Sequence, residues 1–287
     1  MRASIELVTQ GDGDEVYQTL LRDLNPEYPR TRWMRLFDWG WQNPEDHVGW
    51  CIRNAHREMV GFIGTIYGSV WVQDRRRPLC NFTSWIVKEG FRSYAPALLS
   101  PVLRRKDLVI TNLTPTADVS TLFQRLKFGV LEQYRLILGP SVSLVTPSER
   151  VQIRSYPDGV DSTLLNDELI RVLRDHRTCA EQFLIDSGAD VSHVILTVDR
   201  WRRIPLIQIH HVSNPHLFLD SLGEVQRYVL RRFYAPLMQC DARVLGNPRI
   251  RGAKTIRLPV PRLYRGSDIR PRDVHNHYSE IPLLNLP

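Results

Sequence analysis

The stretch from residue 81 to residue 129 constrains the fold more than any other part of this sequence. A β-branched and aromatic run at 81–87 predicts a strand, residues 97–103 carry apolar side chains at helical spacing, and 108–113 predicts a second strand. A further helical pattern ends near Phe128. This alternation of strands and helices indicates an α/β fold.

The connection between the first of these strands and its helix has the chemistry of an anion site. A strand that turns directly into a helix points backbone N–H groups and the positive helix end at one spot, which suits a pyrophosphate. Arg92 adds a positively charged donor. A solvated connection would show the same spacing, so the residues alone leave both interpretations open.

The same connection resembles the acyl-CoA loop of the GCN5-related N-acetyltransferase family. That family's pattern is Arg or Gln, two residues, Gly, one residue, then Gly or Ala, and Arg92, Ala95 and Ala97 occupy its three positions. The stretch 122–128, Leu-Phe-Gln-Arg-Leu-Lys-Phe, is similar to the family's later Leu-Tyr-x-x-Leu-Gly-Phe motif. Both motifs stand in the family's order, which makes the resemblance stronger than either motif alone.

The resemblance implies a mixed, mostly antiparallel sheet flanked by helices. It also implies an acyl-CoA co-substrate, acetyl-CoA or another acyl-CoA, and an N- or O-acetyltransferase in which an acceptor amine or hydroxyl attacks the thioester directly. The residues that it places against the co-substrate belong to the strand end and the loop: Trp85, Ile86, Val87, Arg92, Ser93, Tyr94, Ala95, Pro96 and Ala97.

Four positions depart from the family pattern. Ala95 replaces a Gly, so a methyl group stands where the backbone approaches the pyrophosphate most closely. Pro96 lacks an N–H and removes one donor, although proline suits a first helical turn. Phe123 replaces the Tyr that in many members protonates the departing thiolate, and Lys127 replaces the helix-ending Gly. The fold is expected to tolerate these changes, but the usual general acid is missing.

Catalytic side chains are predicted from polar residues near the opening between the two strands. The resemblance implies an oxyanion donor among the backbone N–H groups of 85–87. Ser84 and Asn112 border this opening together with Thr114, and His176 of the second half is a further predicted catalytic residue. His176 and Cys179 lie one helical turn apart and could face one cleft, with the histidine as a base or the cysteine as a thiolate nucleophile. A capped helix segment with a buried cysteine and a histidine on its boundary fits the same residues, and both interpretations stay open.

The chain is expected to form two related domains and a tail. The divisions are an acyl-CoA-binding domain at 1–138, a linker at 139–150, a second and reduced half at 151–258, and an extended tail at 259–287. The second half predicts a strand at 151–156, a helix at 164–183, a hairpin at 194–198 and 204–212, a helix at 218–233 and a strand at 242–245. It shows no second phosphate loop, so one co-substrate site is expected.

A cluster of aromatic residues in the first half has two interpretations. Trp33, Phe37, Trp39 and Trp41 could border a cleft for an acceptor, since indole rings suit the apolar faces of a sugar or an acyl chain. Tryptophans more often pack on a sheet, and we give that interpretation the greater weight.

Composition limits the compartment and the partners. No window is apolar enough to span a bilayer and no apolar signal region opens the chain, so a cytoplasmic protein is expected. The four cysteines lack paired spacing and the histidines alone do not define a site, so no metal is predicted. A net charge of +7 fits a phosphate-rich co-substrate, whereas the dispersed arginines and the lack of a recognised motif disfavour nucleic acid.

Several functions therefore remain after the sequence is analysed. The first is acyl transfer to a small acceptor such as a sugar, which the two ordered motifs support. The tail and the stretch 85–99 also resemble uncharacterised acetyltransferase-like proteins encoded with bacterial surface-polysaccharide genes. The second is a catalytically reduced relative that binds CoA or a protein partner, and the third is a nucleic-acid-binding protein. The tandem aminoacyl-transferases that build peptidoglycan bridges share the paired layout but not a readable CoA loop. The sequence predicts no particular oligomeric state.

Overall fold

The computed structural model describes residues 3–42, 47–72, 75–140, 151–156 and 165–286. The described strands, in chain order, are β1 (Ala3–Val8), β2 (Gly49–Asn54), β3 (Met59–Val72), β4 (Arg75–Val87), β5 (Val109–Asn112), β6 (Gly129–Leu138), β7 (Gln152–Ser155), β8 (Glu181–Asp186), β9 (Val191–Trp201), β10 (Ile204–Val212), β11 (Leu237–Asp241) and β12 (Lys254–Arg265). The predicted linker lies outside the described residues from 141 onward.

Helices connect these strands. The α-helices are α1 (Gly13–Val16), α2 (Arg22–Leu24), α3 (Arg30–Trp33), α4 (Ala95–Leu103), α5 (Ala117–Arg125), α6 (Asp167–Asp175), α7 (Pro215–Asp220), α8 (Leu222–Phe233) and α9 (Glu280–Leu284). A π-helical turn, Tyr17–Leu21, joins α1 to α2. Short 3-10 helices are Gln10–Asp12, Met34–Leu36, Glu89–Tyr94, Ala242–Leu245 and Pro271–Asp273. Within the described ranges, no helix is long and apolar enough to cross a membrane.

The chain forms two compact units, each built from more than one stretch of sequence. Unit 1 contains Met1–Leu131, Val260–Val274 and Tyr278–Leu284, and unit 2 contains Glu132–Pro259, His275–His277 and Asn285–Pro287. Strand β6 is thus divided between the units, close to the predicted boundary at residue 138. Which functions the two predicted domains carry stays a prediction.

The sheet of unit 1 has the order β1-β2-β3-β4-β5-β12. Neighbouring strands are antiparallel except β4 and β5, which run parallel because α4 carries the chain back to the starting edge of the sheet. One face of β4 and β5 packs on α4 and α5 through residues such as Phe82, Ile110 and Phe123. The other face packs on the C-terminal residues Val274, Tyr278 and Ile281. Both faces of these two strands are therefore covered.

Unit 2 repeats the same pattern of strands. Its sheet has the order β7-β8-β9-β10-β11-β6, again antiparallel except for one parallel pair, β10 and β11, which α7 and α8 connect. Its core contains Phe183, Ile207 and Phe218. The mixed, mostly antiparallel sheet flanked by helices and the related second half agree with the predicted fold class.

Three elements differ from the predictions. The helix predicted at 164–183 ends at Asp175, because residues 181–186 pair with β7 and β9 and this pairing overrides helical spacing. The strand predicted at 242–245 is a 3-10 helix that follows strand β11. The tail predicted to be extended instead completes β12 beside β5 and ends in α9. Leu283 and Leu284 are buried in that short helix, as expected for docked leucines, and Leu286 after it is half-buried.

The aromatic cluster of the first half belongs to the core of unit 1. Trp33, Phe37 and Trp39 are at most 4% exposed. Trp41 packs edge-to-face on Tyr278 with 5.3 Å between ring centroids, and its indole N–H donates to the Tyr67 carbonyl oxygen at 2.8 Å. These contacts favour packing over an acceptor cleft for these rings.

Candidate active site

The two parallel strands of unit 1 pair over only three residues each. Leu79, Cys80 and Asn81 of β4 lie opposite Val109, Ile110 and Thr111 of β5, after which β5 ends while β4 continues to Val87. Among the described residues, β4 has a neighbour only on its β3 side after Asn81. Backbone groups of 82–87 on the other edge are therefore available to a ligand, as at the carboxyl ends of strands in open α/β sheets.

Strand β4 carries a β-bulge at this free edge. Phe62 of β3 pairs with Ile86 and Gly64 pairs with Thr83, so one residue of β3 lies opposite both Ser84 and Trp85. Ser84 has a φ of 50°, a left-handed conformation that costs a non-glycine residue roughly 1–2 kcal/mol. Bulges and strained backbone both concentrate beside active sites. The predicted catalytic residue Ser84 thus lies at a bend that redirects the strand.

The indole of Trp85 adds a second unusual feature at the bulge. Its ring packs on Phe123 with 6.0 Å between centroids. Its Nε1 is buried and has no hydrogen-bond partner among the described residues. A buried donor without a partner costs free energy.

The predicted phosphate loop is a 3-10 helix in the structure. Residues Glu89–Tyr94 form this turn, α4 starts at Ala95, and the Ala95 N–H already donates to the Arg92 carbonyl oxygen. The backbone at residues 95 and 96 therefore offers a phosphate fewer hydrogen-bond donors than the family pattern implies. The Ala95 N–H is already bonded, and Pro96 has no N–H. The predicted phosphate contacts of this loop stay a prediction.

Positive charge remains at the start of this helical segment. Arg92 is exposed and has no ion-pair partner within the described residues, and Lys88 at the end of β4 is also exposed. No side chain caps α4. The other predicted co-substrate residues surround this position: Trp85, Ile86, Val87, Tyr94 and Ala95 are half-buried, and Ser93, Pro96 and Ala97 are exposed.

The second family-like motif forms a Schellman helix end. The Phe128 N–H donates to the Phe123 carbonyl oxygen at 3.0 Å and the Lys127 N–H donates to that of Gln124 at 3.0 Å. Lys127 has a φ of 64°, the conformation that glycine usually supplies at this position. The rings of Phe123 and Phe128 lie 4.7 Å apart, which completes the motif. The fold therefore keeps the motif's geometry despite the substituted glycine.

A buried carboxyl lies next to the paired ends of β4 and β5. Glu280 at the start of α9 is 0% exposed and accepts hydrogen bonds from the Asn81 amide and, at 2.6 Å, from the Thr114 hydroxyl. Asn81 in turn accepts from the Thr111 hydroxyl at 2.9 Å. Burial raises the pKa of Glu280, and the hydrogen bonds from Thr114 and Asn81 oppose that effect. Thr114 is exposed, so the network links a buried acid to the surface.

Packing fixes the segment that carries Glu280. A Cβ on Gly68 of β3 would lie 2.7 Å from Tyr278, so only glycine allows this approach. The Arg32 side chain donates to the carbonyl oxygen of Leu284 at 2.5 Å, where a cation suits the end of α9. The position of Glu280 is therefore set by the sheet and by the helical segment near Arg32.

The predicted catalytic residues do not form one cluster. Ser84 contacts the Thr83 hydroxyl, 3.2 Å between oxygens, and Asn112 is buried at the last position of β5, opposite Leu263. His176 belongs to unit 2, is 0% exposed, and its Nδ1 and Nε2 lie 2.9 and 3.0 Å from the carbonyl oxygens of Val172 and His277. These contacts suit a structural histidine, and burial lowers its pKa.

Sequence reasoning assigned no role to Glu280. The available signal was an acidic residue immediately before the apolar run Ile281–Leu284, since a carboxyl that is carried into a core needs polar partners. Those partners, Asn81 and Thr114, lie in distant parts of the sequence, so the pattern could not identify them.

Solved structures share this fold over nearly the whole chain. A probable N-acyltransferase from Enterococcus faecalis V583 has a TM-score of 0.61 at 10% identity, covering 94% of this chain and 74% of that one. GCN5-related N-acetyltransferases from Kribbella flavida and Anabaena variabilis have TM-scores of 0.60 and 0.58 at 13% and 12% identity, covering 93% and 92% of this chain and 71% and 72% of theirs. No protein-family model and no curated protein sequence matches the chain. Identities of this size establish a shared fold.

Proposed function

We propose that this chain, which has the fold of the GCN5-related N-acetyltransferases, is an acyl-CoA-dependent acyltransferase. In this proposal unit 1 transfers an acyl group, acetyl in the simplest case, to an amine or hydroxyl of a small acceptor such as a sugar. The observation that carries the proposal is the unpaired edge of β4 beyond Asn81, with its bulge at Ser84 and Trp85.

The residues at this edge fit an acyl-CoA. Bound there, the co-substrate supplies an activated thioester carbonyl. A backbone N–H group among 85–87 is the proposed donor for the carbonyl oxygen, on which negative charge develops during attack. Lys88 and Arg92 supply exposed positive charge for phosphates. The bonded Ala95 N–H limits the contribution of the α4 start, so we assign most of the phosphate affinity to these two side chains.

A proton path leads from the surface to Glu280. An acceptor at the end of β5 would lose its proton as it attacks, and the Thr114 hydroxyl already donates to Glu280 at 2.6 Å. Thr114 can accept the acceptor's proton while it passes its own to the carboxylate. Because burial raises the pKa of Glu280, its carboxylate is a stronger base than an exposed glutamate. We therefore assign Glu280 as the proton acceptor and Thr114 as the relay.

Phe123 cannot donate a proton to the departing thiolate. That side chain is 0% exposed and its ring packs on Phe82, with 5.8 Å between centroids. A thiol has an ordinary pKa of about 8.5, so its thiolate leaves without a strong acid near neutral pH. We propose that water protonates it.

The test is a transfer assay with acetyl-CoA and a panel of amino sugars, simple sugars and small amines. Thiol release that depends on the acceptor, together with the mass of an acetylated product, is the expected result. Release that is the same with and without every acceptor would contradict the enzyme proposal.

A second candidate function is binding without transfer, which the bonded Ala95 N–H, Pro96 and the buried Phe123 favour. In this case CoA or a protein partner occupies unit 1 and no acceptor reacts. Stoichiometric CoA binding in a calorimetric titration, together with no acetylated product in the transfer assay, would identify this function.

A further inference from the structure

Unit 2 gathers five histidines in its interior. They come from the end of α6, from strands β9 and β10, and from the C-terminal segment: His176, His193, His211, His275 and His277. The ring centroids of His211 lie 4.7 Å from those of both His275 and His277, and His193 lies 5.7 Å from His211. No part of the proposed transfer reaction uses these rings.

Three of these rings have the spacing of metal ligands. One nitrogen each of His211, His275 and His277 lies within 4.8 Å of the other two. The Nδ1 atoms of His211 and His275 are 3.3 Å apart. Two imidazole nitrogens bound at about 2.0–2.1 Å to one tetrahedral zinc ion lie about 3.3–3.4 Å apart, so this pair already has the required separation.

A further buried histidine, His193, lies beside His211. His193 donates through Nε2 to the Gln182 side-chain oxygen at 3.0 Å, so its Nδ1 is an unprotonated nitrogen. That Nδ1 is buried without a hydrogen-bond partner among the described residues. His193 is not one of the three histidines whose nitrogens share the ligand spacing.

The C-terminal segment is held in position for binding. Asn276, between the two histidines, donates to the Asp241 carboxylate of β11 at 2.6 Å and accepts from Arg243. These bonds fix the backbone from which His275 and His277 project, so the two rings do not have to be ordered by the ion itself.

We propose that His211, His275 and His277 bind one divalent transition-metal ion in unit 2. Three imidazole ligands favour zinc, copper, nickel or cobalt over calcium and magnesium, which prefer oxygen. A three-histidine set leaves one tetrahedral position for water or a further ligand. The ion would tie the segment 275–277 to strand β10 within the unit.

The competing explanation is a direct N–H···N hydrogen bond between His211 and His275, which the same 3.3 Å separation allows. The two explanations differ in the response to metal. A hydrogen-bonded pair needs no ion, whereas a site binds one equivalent and is stabilised by it.

The test uses the full chain after removal of metals with a chelator. Zinc is titrated against a chromogenic chelator, and cobalt is added separately, because tetrahedral cobalt gives strong visible absorption. We expect one equivalent of zinc per chain, a tetrahedral cobalt spectrum and a raised unfolding midpoint with zinc.

Variants assign the site. His275 is the least buried of the three, so His275→Ala is expected to fold and to weaken zinc affinity at least tenfold. His216→Ala, which removes an exposed histidine of the same unit, is the matched control and should bind as the parent does. The absence of stoichiometric binding, equal binding by His275→Ala, or loss of binding in His216→Ala alone would overturn the proposal.

Discussion

The Thr114 hydroxyl donates a 2.6 Å hydrogen bond to Glu280, a residue 166 positions later in the chain. It joins the end of β5 to the first residue of α9, both in unit 1. One partner is exposed and the other fully buried, so the bond crosses from the surface into the core. The proposed proton path depends on this pair.

Glu280→Gln is predicted to lower kcat for acyl transfer about 100-fold, because general base catalysis contributes roughly 10²–10⁴-fold. The amide keeps the size of the side chain but cannot accept a proton. The affinity for acetyl-CoA should stay within a factor of about two, since Glu280 lies outside the proposed phosphate contacts. Initial rates and calorimetry measure the two quantities.

Thr114→Val should lower kcat in the same direction, and the exposed Glu27→Gln is the matched control for the carboxyl-to-amide change. A Glu280→Gln enzyme with the parent's kcat would contradict the proposed base.

The stability of the chain is predicted to depend on pH through Glu280. Burial raises its pKa above the ordinary 4.5, so the folded chain holds this proton more tightly than the unfolded chain. Its contribution to the free energy of unfolding is complete below pH 4.5 and is lost as the pH rises through the raised pKa. Urea unfolding at several pH values measures the free energy of unfolding of the parent and of Glu280→Gln. As the pH rises, the value for the parent should fall relative to that for Glu280→Gln. A rise of the parent's value relative to the variant's would mean that the pKa of Glu280 is lowered.

Lys127→Gly is predicted to stabilise the chain by about 1 kcal/mol, because glycine adopts the left-handed conformation of this helix end without strain. Chemical denaturation measures the change. Arg125→Gly, at the last residue of α5, is the matched control and should destabilise by up to about 1 kcal/mol. Equal effects of the two substitutions would show that the Lys127 backbone is not strained.

Ser84→Gly and Ser84→Val should change stability in opposite directions. Glycine relieves the positive φ of the bulge by about 1 kcal/mol, and a β-branched side chain there adds strain of about 1 kcal/mol or more. Ser4→Gly in β1, which lacks a positive φ, is expected to destabilise. If Ser84→Val leaves the free energy of unfolding unchanged, the backbone at residue 84 is not strained and the bulge is contradicted.

The sequence predicted the fold where its signals are local. The strand and helix at 81–103 and the helix end at Lys127 follow from spacing and from motifs that resemble a known family, and the structure has each of them. The paired halves were also visible, because both repeat strands and helices in a similar order.

Pairing between distant segments was not predictable. Residues 181–186 have apolar positions compatible with a helix, and only their pairing with β7 and β9 makes them a strand. The same limit hid Glu280 and the histidine cluster, whose partners come from other parts of the chain: Asn81 for the first and His211 for the second. The pattern of the predicted phosphate loop also does not reveal the backbone hydrogen bond from the Ala95 N–H to the Arg92 carbonyl oxygen.

Calorimetric titration of the chain with acetyl-CoA and with CoA measures most directly whether unit 1 binds an acyl-CoA. We expect micromolar binding of one equivalent, weakened at least tenfold by Arg92→Ala. Arg104→Ala, which removes the same charge just after the other end of α4, should bind as the parent does. No binding of these ligands or of longer acyl-CoAs would contradict the assignment of unit 1 as an acyl-CoA site.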